Sequence, residues 1–302
     1  MIEIPAAFAA DTAKREGDAG AAFVAALPGM LSSYVDSWEL APVGLAMHGY
    51  VGLVVPVRRS DGTPAALKVS WRDRWTAYEA ESLRVWAGAG AALLLESDDR
   101  PDDNAMALLL EWLDPALSLE ELPDVDAATV LCAEAVGRLA VPAPEYFPTV
   151  AEQEAARWVV ELPQLWERFG KPLPERAIAV AVESCREFAR DQTRTLLHGD
   201  LHYANVLAGE REPWLAIDPK GFAGEAAYES ITVLWNRTDE LGDDQATGIR
   251  RRLAMWSEAA GADPERARRW AQARAVDDVL WQHEYDMAGM GSPAAELAVL
   301  LA

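Results

Sequence analysis

Cysteine is nearly absent: Cys132 and Cys185 are the only two in 302 residues. That excludes a disulfide framework and fits a reducing compartment, so a cytoplasmic protein is expected, with both thiols read as small buried apolar residues. Histidine is scarce too, limited to His48, His198, His202 and His283. A two-metal hydrolase centre rich in histidine is poorly supplied. Lysine and arginine number 27 against 49 aspartates and glutamates, a net charge of -22. A nucleic-acid partner, which needs a basic face for its phosphates, is not expected. Long apolar runs are missing as well. Glu3, Asp11, Lys14, Arg15, Glu16 and Asp18 interrupt the beginning of the chain, so neither a signal peptide nor a membrane-spanning helix is expected.

The acidic balance has two readings. It keeps a protein soluble, and it attracts small cations over a range that salt limits to about 10 Å. The apolar half of the composition is that of an ordinary globular protein, and the length suffices for one large core or two lobes.

The stretch that carries chemistry is Leu196-Leu197-His198-Gly199-Asp200-Leu201-His202-Tyr203-Ala204-Asn205-Val206-Leu207, followed by Trp214-Leu215-Ala216-Ile217-Asp218-Pro219-Lys220-Gly221. Two apolar runs flank the polar turn 209–213, a hairpin pattern. Asp218 ends the second run, while Asp200 and Asn205 bracket the loop into the first. Two carboxylates and an amide are thereby brought together, an oxygen-rich set suited to Mg²⁺ on a nucleotide. A competing arrangement is a metal hydrolase, because His198, Asp200 and His202 alternate along an extended segment.

The pattern H-G-D-x-x-x-x-N followed by I-D-P resembles the catalytic core of the aminoglycoside phosphotransferase family, and its wording is most similar to the streptomycin 6-phosphotransferase and hydroxyurea phosphotransferase branch. The resemblance implies an α+β, two-lobed protein-kinase-like fold. A small antiparallel sheet with a helical extension would occupy residues 1–113, and a larger helical lobe residues 114–302. It also implies roles. Asp200 would accept the hydrogen bond of the acceptor hydroxyl, aiming the oxygen and taking its proton late. Asn205 and Asp218 would hold Mg²⁺. Gly199 stands where protein kinases have the arginine of H-R-D, so no cation is there to read an activation-loop phosphate.

The residues upstream fit the same frame. Residues 1–41 have helical spacing with a break expected at Pro28-Gly29, and read as scaffold. Strands are expected at 44–47, 51–57 and 65–69. Between the first two lies His48-Gly49-Tyr50-Val51-Gly52, which by resemblance covers the nucleotide phosphates, with Gly49 and Gly52 permitting close approach. Any hairpin could contain two glycines. Lys68 is a charge inside an apolar strand and needs a partner or an escape to the surface. By resemblance it binds the α- and β-phosphates and pairs with Glu79, or with Glu81, on a helix 75–86. Runs 91–96 and 105–111 read as a hairpin around an acidic turn 97–104. By resemblance the backbone of Glu111, Trp112 and Leu113 meets the adenine edge.

Downstream the pattern is mostly helical, with starts near Asp124 and Pro148-Thr149 and a buried helix at 231–237. Glu225 and Ala226 stand where the family has Asp-Pro, which leaves open how that segment is capped. The long helix 264–284 and its end carry Asp277, Asp278, Trp281, His283, Glu284, Tyr285 and Asp286. In the family, acidic groups of such helices bind ammonium or guanidinium groups, which points to Asp278, Trp281 and Glu284; a solvated acidic face is the other explanation. The expected function is transfer of the γ-phosphate of ATP, with Mg²⁺, to a hydroxyl of a small cationic molecule, most like a streptomycin 6-kinase. Hydroxyurea or a sugar-like metabolite is the alternative acceptor, and a nucleotide-binding module without turnover the alternative of another class.

Overall fold

Apolar residues at helical spacing build the first element, α1 (Ala6–Ser37), whose Phe8, Phe23, Leu27, Leu31 and Tyr34 are buried. It belongs to a computed structural model that describes residues 2–285 and 293–302. Asp286 lies outside the described residues. The expected break at Pro28-Gly29 is absent: α1 runs through Pro28. The one residue with non-helical geometry is Gly17, at φ 62° and ψ -139°, a conformation glycine adopts without a side-chain clash.

The strands follow: β1 (Ala41–Pro42), β2 (Met47–His48), β3 (Gly52–Arg58) and β4 (Pro64–Trp71). A short helix, α2 (Glu79–Trp86), precedes β5 (Leu94–Arg100) and β6 (Ala105–Glu111). The sheet is antiparallel with the order β1-β3-β4-β6-β5, and β2 pairs with β3. Central β4 is buried from Ala65 to Trp71. Leu53, Val55 and Val57 of β3 and Leu67 and Val69 of β4 alternate onto the face that packs with Phe23, Leu27 and Leu31 of α1. Each such aliphatic side chain contributes about 1.5–3 kcal/mol on burial.

Three expectations fail here. Of the strand expected at 44–47 only Met47 lies in a strand, β2. The acidic segment 97–100 is not turn but the second half of β5. As an edge strand it can carry charges that an inner strand could not. Asp98 accepts from Tyr34 Oη at 2.9 Å, and Arg72 grips Asp99. The helix expected from Trp75 begins only at Glu79, because the Asp73 carboxylate holds the N–H groups of Trp75 and Thr76 in a turn.

The chain divides into two compact units, Met1–Asp114 and Pro115–Ala302. The second is mainly helical: α3 (Val125–Leu139), α4 (Arg157–Arg168), α5 (Glu175–Phe188), α6 (Gln245–Ala260), α7 (Pro264–Glu284) and α8 (Ala294–Leu300). Asp124 caps α3, accepting from the N–H groups of Asp126 and Ala127. Between α5 and α6 lie two small two-stranded antiparallel sheets, β7 (Thr195–Leu197) with β10 (Phe222–Gly224), and the hairpin β8 (Val206–Ala208) with β9 (Trp214–Ala216). The helix expected at 231–237 is a series of turns instead. Buried Arg252 of α6 takes up their carbonyls, donating to Val233, Asn236 and Arg237. Cys132 and Cys185 are both buried and share no disulfide, and burial pushes both thiol pKa values up. Among the described residues no helix is long and apolar enough to cross a membrane.

Candidate active site

The β8–β9 ladder pairs Val206 with Ala216, and Ile217 N–H donates to Asn205 O at 2.9 Å. Asn205 and Asp218 therefore emerge side by side at the open end of the hairpin. Asp218 sits at φ +61°, the left-handed region that aspartate tolerates better than most residues and that recurs at functional sites. Below it, His198 is buried and donates from Nε2 to Ile217 O at 2.7 Å, while its Nδ1 accepts from Asp200 N–H at 3.3 Å. Those partners require the neutral ring, and burial lowers its pKa to about 3. Asn205 Nδ2 donates to Asp200 O at 2.9 Å, a bond that does not use its carbonyl oxygen. Asp200, Asn205 and Asp218 are thus locked to one another through the backbone.

Gly199 adopts φ +87°, and a Cβ there would lie 3.0 Å from Phe222 Cδ2 and 3.1 Å from Lys220 Cβ. Glycine in place of arginine is a steric requirement of this loop. Its N–H donates to Glu229 Oε1 at 2.7 Å, and its carbonyl accepts from Arg274 of α7 at 3.4 Å. Burial raises the Glu229 pKa to about 6, against the pull of the Gly199 N–H and the Arg274 charge.

Sequence reasoning missed Lys220. Its Nζ lies 3.1 Å from Asp218 Oδ2 and 3.8 Å from Asp200 Oδ2, so a single ammonium reaches both carboxylates. It missed Glu229 and Arg274 as well. The Lys after Asp-Pro was a visible signal for the first; no local spacing ties Gly199 to residues 30 and 75 positions away.

In the unit Met1–Asp114, Lys68 Nζ donates to Glu79 Oε1 at 2.7 Å; Lys68 is 8% exposed and Glu79 1%. Glu81 pairs with Arg84 instead. Gly52 lies opposite Ser70, where a Cβ would fall 2.5 Å from Ser70 Oγ and 3.3 Å from Lys68 Cε. The missing side chain is what gives Lys68 its room. Gly49 N–H closes the turn by donating to Gly52 O at 2.9 Å, so any donation to a phosphate would fall to other amides of the turn. From α1, Arg15 Nη1 donates to Tyr50 O at 2.9 Å and its guanidinium stacks over the Tyr50 ring. Glu111 is tied to Leu93 twice, through its N–H at 2.9 Å and through its carboxylate at 2.8 Å. Its N–H is thus committed within the sheet, and Leu113 lies half-buried two residues past the strand.

The family described as aminoglycoside/hydroxyurea antibiotic resistance kinase matches residues 37–286. The chain belongs to this family. It is an ATP-dependent small-molecule kinase. It is 35% identical over 304 residues to a streptomycin 6-kinase of Streptomyces glaucescens, covering 100% of this chain and 97% of the relative. It is 39% identical over 306 residues to a hydroxyurea phosphotransferase of Kitasatospora aureofaciens, covering 99% and 85%. The fold matches that of a thermostable mutant of the aminoglycoside phosphotransferase APH(4)-Ia, solved as a ternary complex with ADP and hygromycin B. That match has a TM-score of 0.58 at 14% identity, over 89% of this kinase and 96% of that chain.

The acidic helix of this kinase is α7. Arg274 touches the Gly199 carbonyl, and Asp278 and Trp281 follow on the same face at helical spacing. Asp278 accepts from Gln282 Nε2 at 2.7 Å, the Trp281 ring packs on Tyr285, and Glu284 pairs with Arg168 at 3.3 Å on the surface. Asp277 faces Arg157 at 3.9 Å. Glu225, where the family has Asp, stands at the start of the helical turn 226–231 without a side-chain cap; its carboxylate binds Arg266 and Trp270 Nε1 instead.

Proposed function

We propose that this kinase moves the γ-phosphate of ATP, with Mg²⁺, to a hydroxyl of an aminoglycoside-type antibiotic, with streptomycin as the acceptor and its 6-position as the target. The carrying observation is the convergence of Asp200 and Asp218 on the Lys220 ammonium beside Asn205. Asp200 orients the acceptor hydroxyl and receives its proton late, since a carboxylate is far too weak a base to ionise an alcohol beforehand. The donor set suits Mg²⁺, which takes one or two protein oxygens and completes its shell with phosphate and water. Asp218 and the Asn205 carbonyl would hold it. Bound there, the ion supplies charge neutralisation for the phosphates. His198 is no ligand in this reading, because both ring nitrogens are occupied by Ile217 and Asp200.

Lys68, oriented by Glu79, is assigned to the α- and β-phosphates, with Gly49 and Gly52 shaping the turn beside them. The backbone of Glu111 and Leu113 is assigned to the adenine edge. Asp278, Trp281 and Glu284 are assigned to the cationic groups of the acceptor, which the net charge of -22 also favours. Glu284 would have to leave Arg168 to take part. The cytoplasm, where ATP and reduced thiols coexist, is the proposed setting.

The test is a mass-spectrometric screen for phosphorylated products with streptomycin, hydroxyurea and sugar-like alcohols. A mass gain of one phosphoryl group on streptomycin supports the reading. Phosphorylation of hydroxyurea alone replaces it with the second reading, supported by the 39% identical hydroxyurea phosphotransferase.

A further inference from the structure

Lys220 is fixed at its main chain. Its N–H donates to His198 O at 2.7 Å, and Pro219 precedes it, so its position is set by the same residues that set Asp200 and Asp218. The side chain is 14% exposed, against 32% for Asp218 and 33% for Asp200. The ammonium stands at hydrogen-bond distance from the carboxylate assigned to the metal, and within ion-pair reach of the one assigned to the acceptor hydroxyl. If Asp218 held a divalent cation, the Lys220 ammonium, 3.1 Å from Oδ2, would be a like charge beside it. The ammonium would then have to give way, and Asp200 Oδ2 lies 3.8 Å from it.

Resting on the phosphotransfer reading above, we propose that Lys220 is a positioning residue that hands over between the two aspartates. Before metal and nucleotide bind, its charge balances Asp200 and Asp218 together. With Asp218 engaged by a metal, the ammonium would shift toward Asp200 and offer an N–H to the oxygens of the transferring phosphoryl group. In that step the acceptor oxygen forms its bond to phosphorus. The bond from phosphorus to the bridging oxygen breaks with its electron pair staying on ADP, and the hydroxyl proton goes to the Asp200 carboxylate. Lys220 keeps its proton throughout. It aims Asp200 and offsets charge on the phosphoryl oxygens, as flexible ammonium groups do at phosphate sites.

The experiment compares full-length wild type, Lys220→Met and Lys220→Arg. It reads kcat and KM with the best acceptor, and isothermal titration of ATP at a series of Mg²⁺ concentrations with no acceptor present. Loss of one preorganised charge at a transferring group is expected to lower kcat about 10²-fold in Lys220→Met, with KM for ATP changed less than about threefold. The arginine should recover about tenfold of that loss, since it keeps the charge but not the point geometry. The Mg²⁺ concentration giving half-maximal ATP binding should fall about threefold or more in Lys220→Met, because the competing ammonium is gone. A merely structural lysine would lower thermal stability and leave that midpoint where it was. A Met variant with kcat within threefold of wild type, or with an unchanged or raised Mg²⁺ midpoint, overturns the inference while leaving phosphotransfer intact. A wild type that binds ATP but phosphorylates none of the acceptors overturns the phosphotransfer reading itself, and this inference with it.

Discussion

Replacing Lys68 with methionine keeps the aliphatic stem and removes only the ammonium 2.7 Å from Glu79 Oε1. At that separation the attraction between unit charges is about 6 kcal/mol at an effective dielectric of 20 and about 1.5 kcal/mol in bulk water. Desolvation offsets much of it, because Lys68 is 8% and Glu79 1% exposed. What the single substitution adds is a buried carboxylate without its cation, expected to cost about 3–5 kcal/mol of stability. Glu79→Gln keeps an oxygen near the ammonium and should cost less. The double variant Lys68→Met, Glu79→Gln should fall short of the sum of the singles by about 2–3 kcal/mol, the coupling of a buried pair. Glu81→Gln serves as the control: its partner Arg84 is surface-exposed, so the loss should stay under about 1 kcal/mol. Urea unfolding of the four proteins of the cycle, with hydrogen exchange of β4 as a local probe, measures the coupling. A value below about 0.5 kcal/mol, the range of exposed pairs, would refute the claim that Lys68 and Glu79 act as one buried unit.

Gly199→Ala places a methyl against Phe222 and Lys220 in a left-handed backbone that costs an alanine about 1–2 kcal/mol; thermal unfolding should show the loss, and phosphotransfer should drop by more than about tenfold as Asp200 is displaced. Stability should also depend on pH through two buried groups of opposite sign. The His198 pKa falls from 6.5 to about 3 on folding, so its contribution is complete above about pH 6.5 and is lost as pH falls toward 3, at about 1.4 kcal/mol per unit. The Glu229 pKa rises from 4.5 to about 6, so its contribution is present below about pH 4.5 and is lost as pH rises through 6. The stability difference between wild type and His198→Gln, followed by urea unfolding from pH 7 to 4, should change by about 1.4 kcal/mol per unit below pH 6; a constant difference would contradict the buried neutral imidazole.

The parts legible in the sequence are those whose cause is local. The β8–β9 hairpin follows from two apolar runs around a polar turn, and it puts Asp218 next to Asn205 whatever the remainder of the chain does. Strand periodicity marked Lys68 as a charge in an apolar run, and helix spacing offered Glu79 and Glu81 as partners; only packing chose between them, burying the first and leaving the second to Arg84. Local rules misread Pro28, because tertiary contacts along α1 outweigh the hydrogen bond that proline removes. They misread Asp98 and Asp99, because composition does not say that a strand will lie at the edge of its sheet.

The order of residues by itself determined the chemistry on offer: two aspartates and an asparagine around one hairpin, and a strand lysine, each set by spacing within a turn or two. Tertiary structure alone decided how those groups are held. Glu229 reaches Gly199 across 30 residues, Arg274 across 75, and Arg15 reaches the turn at Tyr50 across 35. Such contacts depend on which surfaces are buried against each other, a property of the packed chain that no window of sequence contains.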